Sequence, residues 1–153
     1  MSSKVYTEGT GITVKHDEAI WEQVLSFDLS IVTATFAERN EVYGEQAEML
    51  ELECKRFMYL AVVAPDLDLA PTKPIDEYWH QFMMFTILYA DFCEQFANEF
   101  VHHNPLAGPN HEELFVRTQR MAVALFGQFE NKDTWFLPRP ATSCRCRNPR
   151  ERV

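Results

Sequence analysis

The chain has 153 residues, 46% of them hydrophobic and 13% aromatic, and carries a net charge of −9 from 14 Lys and Arg against 23 Asp and Glu. That apolar content excludes a wholly disordered chain, and no apolar run approaches the ~20 residues of a bilayer span. An acidic chain of this length reads as about one domain and not as a general nucleic-acid binder, because it repels phosphate backbones.

The charge is uneven. Residues 1–137 hold 9 Lys and Arg and 22 Asp and Glu, a net of −13, whereas residues 138–153 hold five Arg and one Glu, a net of +4. Three segments are expected: an extended or disordered N-terminus over 1–15, a single helical domain over 16–137, and a basic Cys/Arg/Pro tail over 138–153. The tail reads as a solvated terminus; its arginines at 139–152 are available to an acidic partner. Met1–Lys15 shows no basic start followed by an apolar block, so no signal peptide is read. The four cysteines, Cys54, Cys93, Cys144 and Cys146, are then expected as reduced thiols in a cytoplasmic setting. Cys54 and Cys93 fall in apolar helical stretches and read as small hydrophobes.

Residues 1–15 alternate only weakly, and no convincing strand pair is read. From His16 the pattern turns helical, with Ala19, Ile20, Trp21, Val24, Leu25 and Phe27 at three- and four-residue steps. Asp28 or Ser30 caps a second helix carrying Ile31, Val32, Ala34, Phe36 and Ala37, or else the two are continuous. A third helix is expected over about Glu41–Ala64, with acidic residues early, where the helix dipole favours them, and Pro65 at its end. The loop 64–74 holds three prolines and two aspartates, a strong breaker. A fourth helix starts near Pro74 and is read as continuous to His103, apolar on nearly all sides between Ile75 and Phe92 and therefore central. Asn110 with Glu113 resembles a capping box for a fifth helix ending near Phe129. Trp135 and Phe136 follow, either covering the bundle or docking on another protein. The fold class expected is all-α, a compact bundle of four to five helices with a central buried helix near 74–103 and irregular termini.

The chemistry-bearing residues are few. Asp76 and His80 lie one helical turn apart, and a carboxylate there fixes the tautomer of the imidazole and raises its basicity. His80 is the candidate general base or metal ligand and Asp76 its partner; the bland alternative is a core histidine satisfied by Asp76. His102 and His103 close the same expected helix, where the dipole favours imidazolium. One of His102, His103 or His111 with Cys144 and Cys146 would make a three- or four-ligand zinc site, although Cys-x-Cys is not the familiar Cys-x-x-Cys knuckle. His80 and His102 are 22 residues apart, about 33 Å along a straight helix, so they share no metal unless the helix breaks. No Gly-rich phosphate loop, nucleophile elbow or His-Glu-x-x-His is present.

Asp76-x-x-Trp79-His80, then Tyr89-x-x-x-Cys93, then His102-His103-x-Pro105 resembles the glycine-rich domain-containing protein-like family, in the manner of a small bacterial or phage-type member. The likeness covers about 30 residues. Phe82 stands where the plant-type motif has a second histidine, and an Arg-rich tail replaces the Gly-rich one. The resemblance implies a site at Asp76, Trp79, His80, Tyr89 and Cys93 and implies no particular reaction.

Three functions follow. The first is a small acidic helical interaction module, an adaptor or regulator of a protein partner, steered by its charged surfaces. The second is a metal-binding protein or metal-dependent enzyme, holding zinc or iron at His80/Asp76 or at a His/Cys site. The third is an acidic inhibitor that mimics nucleic acid, from the six Glu between residues 38 and 53.

Overall fold

A computed structural model describes residues 4–9, 11–104, 111–136 and 143–145, with Asn104 and 143–145 described by their backbone alone. The described residues are mostly helical and compact, as the sequence leads one to expect. Two small strand pairs, absent from the expectation, accompany the helices. Strands β1 (Val5–Thr7) and β2 (Thr13–Lys15) form an antiparallel hairpin with Tyr6 opposite Val14. Gly11, at φ 96°, makes its turn in the left-handed region that glycine enters without steric cost.

Helix α1 (Glu18–Ser26) starts at Asp17, whose carboxylate accepts the Ile20 N–H at 3.1 Å. Helix α2 (Ser30–Asn40) is a separate helix; Asp28 accepts the Ser30 N–H just before it. Helix α3 (Gly44–Val63) ends one residue before the Ala64–Pro65 step and packs against α1, α2, α4 and α6. It buries Leu50, Cys54, Phe57, Met58, Leu60 and Ala61.

The helix expected over 74–103 is divided. Helix α4 (Lys73–Met84) and helix α5 (Thr86–Phe96) meet at Phe85, whose φ of −87° and ψ of 73° leave the helical region. Neither Gly nor Pro causes the break. A helix apolar on nearly every side cannot bury every side while straight. In a straight helix Phe82 and Phe92 would sit about 15 Å apart along the axis; here their ring centroids are 5.6 Å apart, with Tyr89 4.9 Å from Phe82. A second turn follows α5, with Asn98 at φ 58°, a conformation asparagine tolerates. The chain then runs back along α4 as strand β3 (His102–Asn104), which pairs antiparallel with β4 (Ser143–Arg145). Helix α6 (His111–Phe126) and a 3-10 turn over Lys132–Phe136 complete the described chain. Asn110, expected as its cap, lies outside the described residues.

The acidic stretch of α3 is not wholly a solvated face. Glu53 is fully buried. Its Oε1 accepts the Trp135 indole N–H at 2.8 Å, and its Oε2 accepts Arg56 at 2.5 Å and Asn131 at 2.9 Å. The Arg56 guanidinium lies 4.5 Å over the Phe129 ring and 5.3 Å over Phe126, a cation–π arrangement. Glu51 accepts the Thr33 hydroxyl at 2.5 Å. Trp135 therefore covers the bundle, at 1% exposure, while Phe136 remains 53% exposed.

Trp135→Phe removes one donor from a buried carboxylate. The expected loss is about 1.5–3 kcal/mol of unfolding free energy, read from urea denaturation; a change below 0.5 kcal/mol would show that the Glu53 network is not a stabilising tie.

Candidate metal centre

Helix α4 carries Pro74 in its first turn and Asp76 just after it. Its carboxylate thus sits where the positive end of the helix dipole favours it. His80, one turn on, shares its face, with Nε2 3.5 Å from Asp76 Oδ2. The Asp76 side chain is 9% exposed and that of His80 54%.

The break at Phe85 and the return of the chain deliver a third group. His103, on β3, places Nε2 2.8 Å from Asp76 Oδ1, and its side chain is 9% exposed. The His80 and His103 ring centroids are 4.3 Å apart at 79°. One ligand-type atom from each of Asp76, His80 and His103 lies within 4.8 Å of the other two. A metal held at about 2.0–2.2 Å by nitrogen and oxygen sets its ligands roughly 3–3.5 Å apart. The His80–Asp76 separation of 3.5 Å falls in that range, while His103 at 2.8 Å from the other carboxylate oxygen is at hydrogen-bond distance.

The other residues singled out from the sequence hold this arrangement in place. The Trp79 indole N–H donates to the Tyr89 hydroxyl at 3.0 Å, and that hydroxyl donates to the Val101 carbonyl at 2.5 Å. The Val101 N–H reaches Cys93 Sγ at 3.5 Å. Trp79, Tyr89, Cys93 and Val101 are all buried, so each bond is shielded from water. Both backbone groups of Val101 are thereby fixed two residues before His103. The Trp79 ring also lies against His103, centroid to centroid 4.6 Å. Trp79, Tyr89 and Cys93 set the course of β3, and Asp76, His80 and His103 bring together atoms of the ligand type.

The remaining candidates fall elsewhere. His102 lies tilted against Phe100, ring centroids 5.0 Å apart, and is not part of the cluster. His111 is buried at the start of α6 and is engaged there; it too lies outside the cluster. The backbone of Cys144 is paired with that of His103. Cys146, like Pro105 of the motif, lies outside the described residues. The condition under which His80 could meet a later histidine is met: the helix breaks at Phe85, and it is His103, not His102, that reaches Asp76 and His80. The adjacent His102-His103 pair, placed after a helix too apolar to stay straight, is the signal that such a return leaves in a sequence.

Cys54 lies in the core beneath the cluster. Burial, with the Asp76 carboxylate adding to it, pushes its thiol far above the ordinary value. It stays protonated at neutral pH and is no metal ligand, since thiolate is the ligating form.

The fold and the cluster define a mostly helical protein with an Asp/His/His constellation at a broken helix. A family model described as UCP032817-like matches residues 17–121. That span is well over half of the chain and includes Asp76, His80 and His103, so the chain belongs to the UCP032817-like family. No curated protein and no solved structure matches it.

Two outcomes are expected. Tyr89→Phe leaves the buried Trp79 indole and the Val101 carbonyl without their shared partner and costs about 1–3 kcal/mol of stability, measured by urea denaturation. Cys54 and Cys93 resist a thiol reagent in the native chain and react once denaturant is added; rapid native labelling at Cys54, located by peptide mapping, would contradict its burial.

Proposed function

We propose that the protein binds a single divalent metal, zinc or ferrous iron, through Asp76 Oδ, His80 Nε2 and His103 Nε2. The observation that carries this reading is the convergence of three ligand-type atoms from two segments that the sequence separates by 22 or more residues. Two histidines and a carboxylate suit both metals: zinc takes this donor set in many sites, and a two-His-one-carboxylate face is a common holder of non-haem iron. Three protein ligands leave at least one position for a further group. In this reading His80 is a ligand and not a free general base, and Asp76 is a ligand and not merely an orienting partner. The likeness of the 74–105 motif to the glycine-rich domain-containing protein-like family belongs to the same reading.

The interaction-module reading stands second. It draws on exposed apolar side chains around the helix break, with Ile31 59%, Met84 65% and Ile87 80% exposed. The nucleic-acid-mimic reading loses ground, because Glu53 is buried and Glu51 is half-buried against Thr33. No helix among the described residues is long and apolar enough to cross a membrane.

Elemental analysis of the freshly purified full-length chain tests the metal reading. About one zinc or iron per chain is expected, with a melting temperature that falls in EDTA. Bound metal at a hundred times its Kd adds about 2.7 kcal/mol to folding stability. His103→Ala and Asp76→Asn are expected to abolish the stoichiometric metal while the helical circular dichroism persists. Affinity falls as the solution is acidified, because protons compete with the metal for the imidazoles. A chain that carries no metal, and whose melting is unmoved by added zinc or ferrous iron, would overturn the reading.

A further inference from the structure

Helix α5 turns back at Phe85 and buries its inner face, and the outer side of that corner is left uncovered. Ile87 there is the most exposed large aliphatic side chain among the described residues, and Met84 and Ile31 beside it are exposed as well. Next to Ile87 lies a groove of about 370 Å3 lined by Ile31, Phe85, Leu88 and Asp91. Single exposed apolar side chains are ordinary, but a cluster drawn from α2, α4 and α5 marks a contact surface. Two charges frame it. Arg39, at the end of α2, reaches the Met84 thioether at 3.8 Å. Asp91 closes the groove one helical turn beyond Ile87. Neither belongs to an ion pair among the described residues. Arg39 stands about 12 Å along α2 from Ile31, so the cation lies at the Met84 end of the patch and the carboxylate at the Ile31 end.

We propose that this face is the two-fold interface of a homodimer, in which Ile87 of each copy enters the groove of the other and Arg39 of each copy meets Asp91 of the other. A two-fold contact lays one patch on itself in reversed order, so that residue i of one copy touches residue j of the other and j touches i. A patch with opposite charges at its two ends, and a projecting side chain beside a depression, is its own complement under that operation. The charge balance selects this occupant over a different protein. A partner steered by the net −9 of the chain would be basic and would seek its acidic faces, whereas this patch is framed by one charge of each sign. The inference is independent of the metal reading, and it supplies the interaction-module reading with its partner, a second copy of the chain.

The test is sedimentation equilibrium of the full-length chain over a concentration series. The net charge of each copy opposes association at low ionic strength, so the measurement is made at physiological salt, where exposed charges more than about 8 Å apart are screened. A reversible monomer–dimer equilibrium is expected, because a face of this size lies at the small end of specific interfaces. Ile87→Asp is expected to weaken it at least about a hundredfold, since the two-fold axis places the change twice in the contact. Arg39→Asp and Asp91→Arg each set like charges opposite one another and are expected to weaken it about tenfold. The chain carrying both exchanges is expected to return to within about threefold of the native constant. All three side chains are exposed, so the helical circular dichroism is expected to persist in every variant. A chain that stays monomeric up to about 1 mM, or a dimer that Ile87→Asp leaves intact, would overturn the proposal; the first result would leave the face to a different protein. A dimer lost in Ile87→Asp but not restored by the double exchange would overturn the two-fold pairing of Arg39 with Asp91. None of these results bears on the metal reading, which elemental analysis decides.

Discussion

The packing of Phe82 against Tyr89 and Phe92 is the constraint on which the rest of the site depends. A segment apolar on nearly all sides has two ways to satisfy itself: enclosure by other elements or folding on itself. Here α4 packs on α2 and α3, and the segment also folds on itself. The cost is a non-helical Phe85, whose N–H reaches only the Phe82 carbonyl. The gain is three large aromatic side chains at or below 1% exposure, each contributing roughly 1.5–3 kcal/mol by burial. That difference decides the geometry in favour of the break. Once α5 turns back, the residues after it pass beside α4, and His103 reaches a carboxylate that a straight helix would hold some 40 Å away.

The cluster is rigid for a reason separate from its ligand atoms. Val101 is clamped at both its carbonyl and its N–H, by Tyr89 and Cys93, and Tyr89 is itself engaged by Trp79. Trp79 therefore acts twice, through its N–H on Tyr89 and through its ring face on His103. Phe57 packs on Trp79 at 5.4 Å and connects the clamp to α3. Ligands placed by buried side chains of this kind lose little conformational entropy on binding, which is the basis of a preorganised site.

Much of this was legible in the sequence, and the limits of legibility have physical causes. The 3.6-residue periodicity identified α1 to α3 and α6 within a few residues, because their apolar faces are one-sided. It could not divide 74–103, because a segment apolar all round has no face whose interruption marks a break. The Asp76–His80 relation was readable, since one turn of helix settles it. The arrival of His103 was not, because it depends on two turns, at Phe85 and Asn98, that carry no proline or glycine. Glu53 was counted among the six Glu of an acidic stretch; its partners Asn131 and Trp135 lie about 80 residues away, beyond what local charge patterning reports. The short strand pairs were missed because three residues are too few for alternation to show.

The arrangement also bears on how a metal and the fold are coupled. In small zinc modules the site does not exist without the ion, and folding and binding are one event. Here Asp76 and His103 already meet at 2.8 Å, and the Val101 clamp requires no ion. The core of α1 to α6 buries Tyr59, Phe57 and Leu60 with no ion present. An ion bound at the cluster would thus add its binding free energy to a fold that stands by itself, and would act through His103 on strand β3 and not on the assembly of the helices.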